Sequence, residues 1–182
     1  MKIIIAGAGD VGFHLAKQLA AKNHHITIID PDMEKIENVN NAAQVLSIQG
    51  SAASFSNLLK AQVRDADLFL AVTSNEAVNL TCSIIAKKLG AKQTVARVSD
   101  TEFIVSNDVL DFAEIGVDHV ICPEDLSARE IAKLIERAAA TDIHEFENGK
   151  LTLLGLKLDE STPILHVSIQ DLMKDLGKDI TF

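Results

Sequence analysis

Six short apolar runs, rich in β-branched residues, alternate along the chain with stretches whose apolar residues recur at helical spacing. The apolar runs predict strands at residues 2–6, 25–30, 44–49, 68–73, 94–98 and 119–122. The stretches between and after them predict helices at residues 11–21, 32–40, 54–60, 75–89, 101–112 and 126–140. Because strand and helix alternate six times, the pattern predicts an α/β fold, a doubly wound six-stranded parallel sheet with helices on both faces.

The first predicted strand runs into a glycine-rich segment, Gly7-Ala8-Gly9-Asp10-Val11-Gly12, which opens the first predicted helix. The segment fits the G-x-G-x-x-G pattern of Rossmann-like folds, and an acid, Asp30, ends the second strand 18 residues after Gly12. In such a loop the glycines permit a tight turn, close approach of backbone N–H groups to a diphosphate, and packing of the helix on the strand. The positive end of the helix favours phosphate. We therefore predict a Rossmann-like nucleotide site whose phosphates rest on this segment.

Asp30 is the candidate for ribose recognition. A carboxylate there accepts hydrogen bonds from ribose hydroxyls and repels a 2′-phosphate, and no arginine follows in the segment DPDMEKIEN. These residues favour NAD, NADH or another adenine nucleotide over NADP. The alternative is that the glycines only shape a turn and that Asp30 is a solvated strand end.

Four further candidates follow the fourth strand, because ligands of open α/β sheets bind beyond the carboxyl ends of the strands, near the switch point. Thr73 and Ser74 offer hydroxyls, and Asn75 and Glu76 offer an amide and a carboxylate. Ser74 or Asn75 is equally suited to cap the helix that follows.

Four candidates follow other strands. Gly50 and Ser51 follow the third strand, where Gly50 is expected to open space for an adenine and Ser51 is a further candidate for nucleotide binding. Arg97, near the end of the fifth strand, is suited either to phosphate oxygens or to an ion pair. Glu124, after the sixth strand, is more suited to the first turn of a helix than to a cation site. The six histidines and two cysteines show no metal-ligand spacing, so we predict no metal centre.

The charge and hydropathy pattern excludes several classes of partner. The 182 residues carry 17 Lys and Arg against 26 Asp and Glu, a net charge of −9, and the basic residues are dispersed. This pattern gives no electrostatic footprint for nucleic acid or anionic lipid. No apolar run approaches the roughly 20 residues of a membrane helix, and no signal peptide is evident. We therefore predict a cytoplasmic protein, with Cys82 and Cys122 as buried free thiols.

The pattern changes after about residue 142. Asn148-Gly149 is a turn signal, and the alternation that follows places Leu154, Leu156 and Leu158 on one face of a strand. About 40 residues are too few for a stable domain, so we predict only the beginning of a small α+β subdomain. The expected organisation is a nucleotide-binding domain at 1–122, a crossover or interface helix at 123–142, and an incomplete subdomain at 143–182.

The predicted helix at 126–140 carries an apolar stripe on a domain that is already complete. This stripe needs another surface to bury it, either the following subdomain or a second chain. Its members are Leu126, Ile131, Leu134, Ile135 and Ala138.

Several segments in order resemble one family, the regulatory RCK or KTN domains, also called TrkA N-terminal domains, of potassium transporters and channels. The resemblance covers about residues 1–140 and rests on KIIIAGAGDVGFHLAKQL, ITIIDPDMEKIE, DADLFLAVTSNEAVNLTCSIIAKKLGA, VARVSD and VICPEDLSAREIAKLI. Residues 143–182 resemble the start of the family's C-terminal subdomain, which is about twice as long. Where the family commonly has Gly-Asp-Ala-Thr beside the adenine, this chain has Gly50-Ser51-Ala52-Ala53 and lacks the acid.

The resemblance implies a function without catalysis. A member of this family senses a nucleotide, NAD, NADH, ATP or ADP, and regulates a membrane partner, here the membrane subunit of a Trk-type potassium transporter. It implies a homodimer or larger ring, located in the cytoplasm at the inner face of the plasma membrane through its partner. The alternatives are the nucleotide domain of an NAD-dependent oxidoreductase and an assembly domain with a relic loop. Against the oxidoreductase, residues 143–182 offer few catalytic candidates.

Overall fold

In the computed structural model, the described residues are 1–105, 111–136, 140–146, 151–160, 162, 165–168 and 170–171. The chain divides into two compact units, Met1–Ala128 and Arg129–Phe182. No helix within the described ranges is both long and apolar enough to cross a membrane.

Six strands of the first unit pair in parallel throughout. They are β1 (Lys2–Ala6), β2 (His25–Asp30), β3 (Leu46–Gln49), β4 (Leu68–Ala71), β5 (Gln93–Arg97) and β6 (His119–Ile121). The sheet order β3-β2-β1-β4-β5-β6 means that the chain builds outward from β1 to one edge, returns beside β1, and continues to the other edge. The predicted Rossmann-like fold is confirmed, and the switch point lies between β1 and β4.

Helices connect these strands at nearly the predicted positions. They are α1 (Asp10–Ala21), α2 (Met33–Ala42), α3 (Phe55–Lys60), α4 (Glu76–Leu89), α5 (Glu102–Val105), α6 (Phe112–Ile115) and α7 (Pro123–Glu136), with a 3₁₀ turn at Val63–Asp65. Gly90 ends α4 with a positive φ of 124°, a conformation that glycine adopts without strain.

The predicted single helix at 101–112 is wrong. α5 covers only Glu102–Val105, and α6 begins anew after Asp111, whose backbone is extended. The Asp111 carboxylate accepts the backbone N–H of Ala113 at 2.8 Å, which caps α6. A local hydrogen bond to an aspartate carboxylate therefore starts a second helix, where the spacing of apolar residues alone predicted one continuous helix. Residues 106–110 lie outside the described part.

The predicted helix at 126–140 begins and ends earlier than expected. α7 starts at Pro123, where the missing N–H of proline costs nothing, and is helical to Glu136. Ala140–Phe146 form β7, which pairs antiparallel with β8 (Leu151–Leu156) in the second unit. The crossover helix expected at 123–142 is therefore helical only to Glu136, and its last predicted residues, from Ala140, belong to a strand. The predicted turn at Asn148-Gly149 lies outside the described residues, and Leu158 lies beyond the end of β8.

The sheet is buried on both faces, which explains why its strands are continuously apolar. Ile3 and Ile5 of β1 pack into a cluster with Ile36 and Val39 of α2. Ile4 packs on the opposite face, in a cluster that includes Phe69. Two layers of helices thus fix the strands, and the strand ends carry the polar loops.

Both cysteines are buried and free, as predicted. Burial raises the pKa of the Cys82 thiol to about 12, so this group stays a neutral thiol at physiological pH.

Candidate functional site

The loop between β1 and α1 requires glycine at two positions for reasons internal to the fold. Gly7 has a φ of +105°, and a Cβ there would lie 2.9 Å from the backbone nitrogen of Thr73. A Cβ on Gly12 would overlap the carbonyl oxygen of Gly7. These two glycines let α1 begin directly beside β1 and β4.

Gly9 differs from its neighbours, because a Cβ at this position would meet no atom within 4 Å. Its φ of −68° is accessible to any residue, so neither backbone strain nor packing requires glycine here. Gly9 is the N-cap of α1 and lines a cavity of about 610 Å³. The small residue therefore keeps the N-terminus of α1 open toward the cavity, as close approach of a phosphate requires.

Asp30 is buried, with 6% of its surface exposed, so it is not a solvated strand end. Its Oδ2 accepts the backbone N–H of Ala8 at 2.7 Å, and its Oδ1 accepts that of Asp32 at 2.8 Å. The carboxylate thus joins the glycine loop to the turn after β2. Each oxygen keeps a second lone pair, which leaves acceptor capacity for the ribose hydroxyls we predict there.

The cavity collects most of the predicted residues at the carboxyl ends of β1, β2, β4 and β5. The predicted residues that line it are Gly7, Gly9, Asp10, Val11, Asp30, Ser51, Thr73, Ser74, Asn75 and Arg97. Ala8, Gly12, Gly50 and Glu76 do not line it. The position beside β1 and β4 is the switch point, where open α/β sheets bind ligands.

Two of the predicted residues that do not line the cavity, Glu76 and Gly50, have structural roles beside it. The Glu76 carboxylate accepts the backbone N–H groups of Ser99 and Asp100 at 2.9 and 3.2 Å, which ties the start of α4 to the loop after β5. Its contact with a ligand stays a prediction. Gly50 has a φ of +148°, and a Cβ at this position would overlap the side chain of Asn57. The fold itself requires this glycine.

The residues after β4 form a local network around Asn79, a fully buried residue of α4. Its Oδ1 accepts the N–H of Thr73 at 2.9 Å and the hydroxyl of Thr73 at 2.6 Å. Its amide nitrogen donates to the carbonyls of Thr73 at 3.0 Å and of Arg97 at 2.8 Å. Asn79 therefore holds the carboxyl ends of β4 and β5 together beside the cavity.

Asn75 caps α4, since its Oδ1 accepts the N–H of Val78 at 3.0 Å. It also lines the cavity. Capping and exposure to the cavity therefore coexist at this residue.

Arg97 both lines the cavity and forms an ion pair. Its Nη2 donates to Oε1 of Glu124 at 2.7 Å, while its Nε is buried with no partner among the described residues. The backbone N–H of Glu124, at the start of α7, and the guanidinium of Arg97 hold the pKa of the Glu124 carboxyl below its usual range. The Glu124 carboxylate is thus paired with Arg97, and no group of three or more His, Cys, Asp or Glu side chains suited to a metal ion occurs in the described ranges.

Sequence reasoning missed Asn79 and Lys35. A signal for Asn79 existed: it is a polar residue on the buried face of α4, in register with Cys82 and Ala86. Lys35 lies in the first turn of α2 and lines the cavity beside Asp30. The signal for Lys35 is a basic residue in the first turn of the helix that follows Asp30.

The TrkA-N domain family matches residues 3–123 of this chain. The Trk system potassium uptake protein TrkA homolog of Archaeoglobus fulgidus is 40% identical over 172 residues, covering 94% of this chain and 39% of that protein. The TrkA homolog 1 of Methanosarcina mazei is 36% identical over 179 residues, covering 94% of this chain and 43% of that protein. The chain thus spans about two-fifths of the length of these relatives.

Solved structures share the fold at low identity. The TrkA-N domain of the inner membrane protein ybaL from Escherichia coli superimposes with a TM-score of 0.65 at 18% identity, covering 74% of this chain and 96% of that one. The GsuK channel bound to NAD superimposes with a TM-score of 0.60 at 17% identity, covering 80% of this chain and 25% of that one. GsuK bound to ADP superimposes with a TM-score of 0.61 at 20% identity, covering 75% of this chain and 34% of that one. The resemblance inferred from the sequence is confirmed by the family match: this chain belongs to the TrkA-N domain family.

Proposed function

We propose that this chain is the nucleotide-sensing domain of a regulatory subunit for potassium uptake. The open position at Gly9 carries this proposal, because a glycine that neither strain nor packing requires borders the cavity at the N-terminus of α1. The relatives named as Trk system potassium uptake proteins support the link to potassium transport.

The proposed ligand is NAD or NADH, with ATP and ADP as further candidates. Backbone N–H groups at the start of α1 would donate hydrogen bonds to the phosphates, and the Asp30 carboxylate would accept hydrogen bonds from the ribose hydroxyls. Arg97 brings a positive charge and a buried, unpartnered Nε to the cavity, which suits phosphate oxygens. GsuK bound to NAD and to ADP shares this fold and supports both ligand classes.

We propose binding rather than catalysis. Of the side chains that hydride-transfer enzymes use for proton transfer, histidine and tyrosine are not among the described residues that line the cavity, and the lysine that does line it, Lys35, has its ammonium 3.7 Å from the Asp32 carboxylate. A hydride-transfer enzyme normally places such a group beside its substrate. This lining therefore favours a sensor over the oxidoreductase alternative.

The proposed partner is the membrane subunit of a Trk-type potassium transporter, with the domain held at the cytoplasmic face of the membrane. A nucleotide shifts a conformational equilibrium only by its differential affinity for the two states. We therefore expect NAD, NADH, ATP and ADP to give different potassium flux through the transporter assembled with the whole regulatory protein. Equal flux with all four bound would leave a scaffold that merely holds a nucleotide.

Self-association is part of the proposal. Leu126, Ile131 and Leu134 of α7 are 54%, 57% and 68% exposed, and Ile131 and Leu134 share one face of the helix. The Ile135 side chain and residue 138 of the predicted stripe lie outside the described part. A second copy would bury these side chains in a dimer or ring. Sedimentation should show a concentration-dependent dimer that Leu134→Glu weakens, while Leu46→Glu, at a 72% exposed leucine outside α7, does not.

The direct test of binding is nucleotide-dependent thermal stability. A nucleotide at a hundred times its Kd should add about 2.7 kcal/mol to the free energy of unfolding. Gly9→Val should abolish this gain, because its side chain fills the space in front of the N-terminus of α1, while the free protein should stay folded with a loss of about 1 kcal/mol from the poorer N-cap, since a Cβ at this position meets no atom within 4 Å. Ala77→Val, at an exposed position in the first turn of α4 outside the cavity, is the matched control. A wild-type chain that none of the four nucleotides stabilises would refute the proposal.

A further inference from the structure

A second cavity lies at the opposite end of the sheet, where β1, β2 and β3 begin. Its volume is about 830 Å³, compared with about 610 Å³ for the cavity at the glycine loop. The two cavities share no lining residue. β3 forms the edge of the sheet, and its first residue, Leu46, is 72% exposed at this cavity.

The charge of this cavity is opposite to that of the chain. Lys2, His24, His25 and Lys60 line it, whereas no Asp or Glu is among its described lining residues. The chain as a whole carries 26 acids and a net charge of −9. The two lysine ammonium groups, with no acid among the described lining residues, therefore give this concavity a local positive field that attracts anions, and the two imidazoles lie beside them as hydrogen-bonding groups.

The nearest counter-charge offsets this field only in part. Lys2 Nζ donates to Oε1 of Gln62 at 2.6 Å, so a neutral amide orients the lysine. The Asp65 carboxylate is 3.8 Å from the same nitrogen but is 76% exposed, where solvent screens the pair. Lys60, in the last turn of α3, has no ion-pair partner among the described residues.

The remaining walls are largely apolar. Ile26, Val45, Leu46, Ile48 and Ala61 contribute aliphatic surface beside the basic groups. Small-molecule sites are typically concavities of about 300–1,000 Å³ with apolar walls and a few convergent polar groups. An anionic head alone would leave this aliphatic surface in water, and an apolar molecule alone would leave the positive charges without a partner.

We propose that this cavity binds a small amphipathic anion, with a phosphate or carboxylate head on a short apolar body. The head pairs with Lys2 and Lys60, and the body covers Leu46 at the edge of the sheet. This site is independent of the proposed nucleotide site, because it is built from the other end of the strands.

Calorimetric titration of the full chain with octyl phosphate, below its micellar concentration, tests the proposal. We expect saturable binding at least about tenfold tighter than that of inorganic phosphate or octanol, because only the amphipathic probe satisfies both surfaces. Octanoate in a parallel titration shows whether a carboxylate head serves as well as a phosphate. Inorganic phosphate or octanol binding as tightly as octyl phosphate would refute the proposal, as would the absence of saturable binding.

Lys60→Glu should weaken octyl phosphate binding about tenfold or more by replacing attraction with repulsion. Lys88→Glu makes the same change at an exposed lysine in the last turn of α4, away from the cavity, and should leave the affinity unchanged. Saturating NADH should not displace the probe. Displacement by NADH, or equal affinity of Lys60→Glu and wild type, would place the probe elsewhere and overturn the assignment.

Discussion

The aspartates at the two ends of the parallel sheet have different kinds of partner. At the amino end, Asp67 lies 2.6 Å from the Nζ of Lys92, and Asp118 lies 2.7 Å from that of Lys87. At the carboxyl end, the buried carboxylate of Asp30 accepts two backbone N–H groups instead. Side-chain ions therefore tie the strands together at one end, and a carboxylate shapes a backbone loop at the other.

This difference separates the side-chain contacts that hold β4, β5 and β6 together from the proposed nucleotide site. The ion pairs of Asp67 and Asp118 are formed between groups of the chain itself, while the N-terminus of α1 stays open at Gly9. A nucleotide can therefore bind at the carboxyl end of the sheet without breaking the ion pairs between the strands. Asp30 belongs to both functions, so its substitution would mix a loss of loop structure with a loss of affinity, and Gly9 is the cleaner probe.

The largest expected effect comes from the glycine loop. Gly12→Ala should lower the free energy of unfolding by about 3 kcal/mol, because the new Cβ overlaps the carbonyl oxygen of Gly7, a backbone atom that cannot rotate away. This loss exceeds the gain of roughly 1 kcal/mol that Ala normally brings to a helix. Urea unfolding of Gly12→Ala and Gly9→Ala makes the comparison. Gly9→Ala should cost no more than about 1 kcal/mol, the loss expected for a poorer N-cap, and equal losses in both variants would contradict the described loop.

A smaller loss is expected at the network that joins β4 to β5. Asn79→Ala leaves the N–H of Thr73 and the carbonyl of Arg97 without their buried partner, which should cost about 1–3 kcal/mol. Ser83→Ala is the control on the same buried face, since the Ser83 hydroxyl has no hydrogen-bond partner among the described residues. Its unfolding free energy should match that of wild type. A Ser83→Ala variant as unstable as Asn79→Ala would show that only packing matters on this face.

The smallest effect concerns the amino end and depends on pH. Burial raises the pKa of Asp118, but hydrogen bonds from the Lys87 ammonium and the Thr94 backbone outweigh it and hold this pKa below 3.8. The resulting stability is present above the pKa of the unfolded chain and is lost as pH falls through the lower folded value. Asp118→Asn should therefore cost about 1 kcal/mol near pH 6 and progressively less toward pH 3.

The check is chemical unfolding of wild type and Asp118→Asn at several pH values between 6 and 3. Lys87→Met, which removes the partner ammonium, should also reduce the pH dependence. A constant difference between wild type and Asp118→Asn over this range would show that the carboxylate adds no pH-linked stability.

Local patterns were sufficient for the order of the elements. The six strands are short apolar runs, and α1 to α4 lie within two residues of their predicted bounds, because burial on both faces and helical spacing both leave local signatures. The break between α5 and α6 was missed because the Asp111 cap is a hydrogen-bonding choice that competes with helical spacing.

The sequence by itself determined the fold class, the glycine loop and the family. Only the tertiary structure decided what several candidate side chains contact. Arg97 meets Glu124 across 27 residues, and Asn79 meets Arg97 across 18, pairings that depend on strand order rather than on local spacing. The Glu76 carboxylate accepts the backbone N–H of Ser99, 23 residues further along the chain, for the same reason. A residue type limits which partners a side chain can accept, and the packing of the sheet determines which of them lies within hydrogen-bond distance.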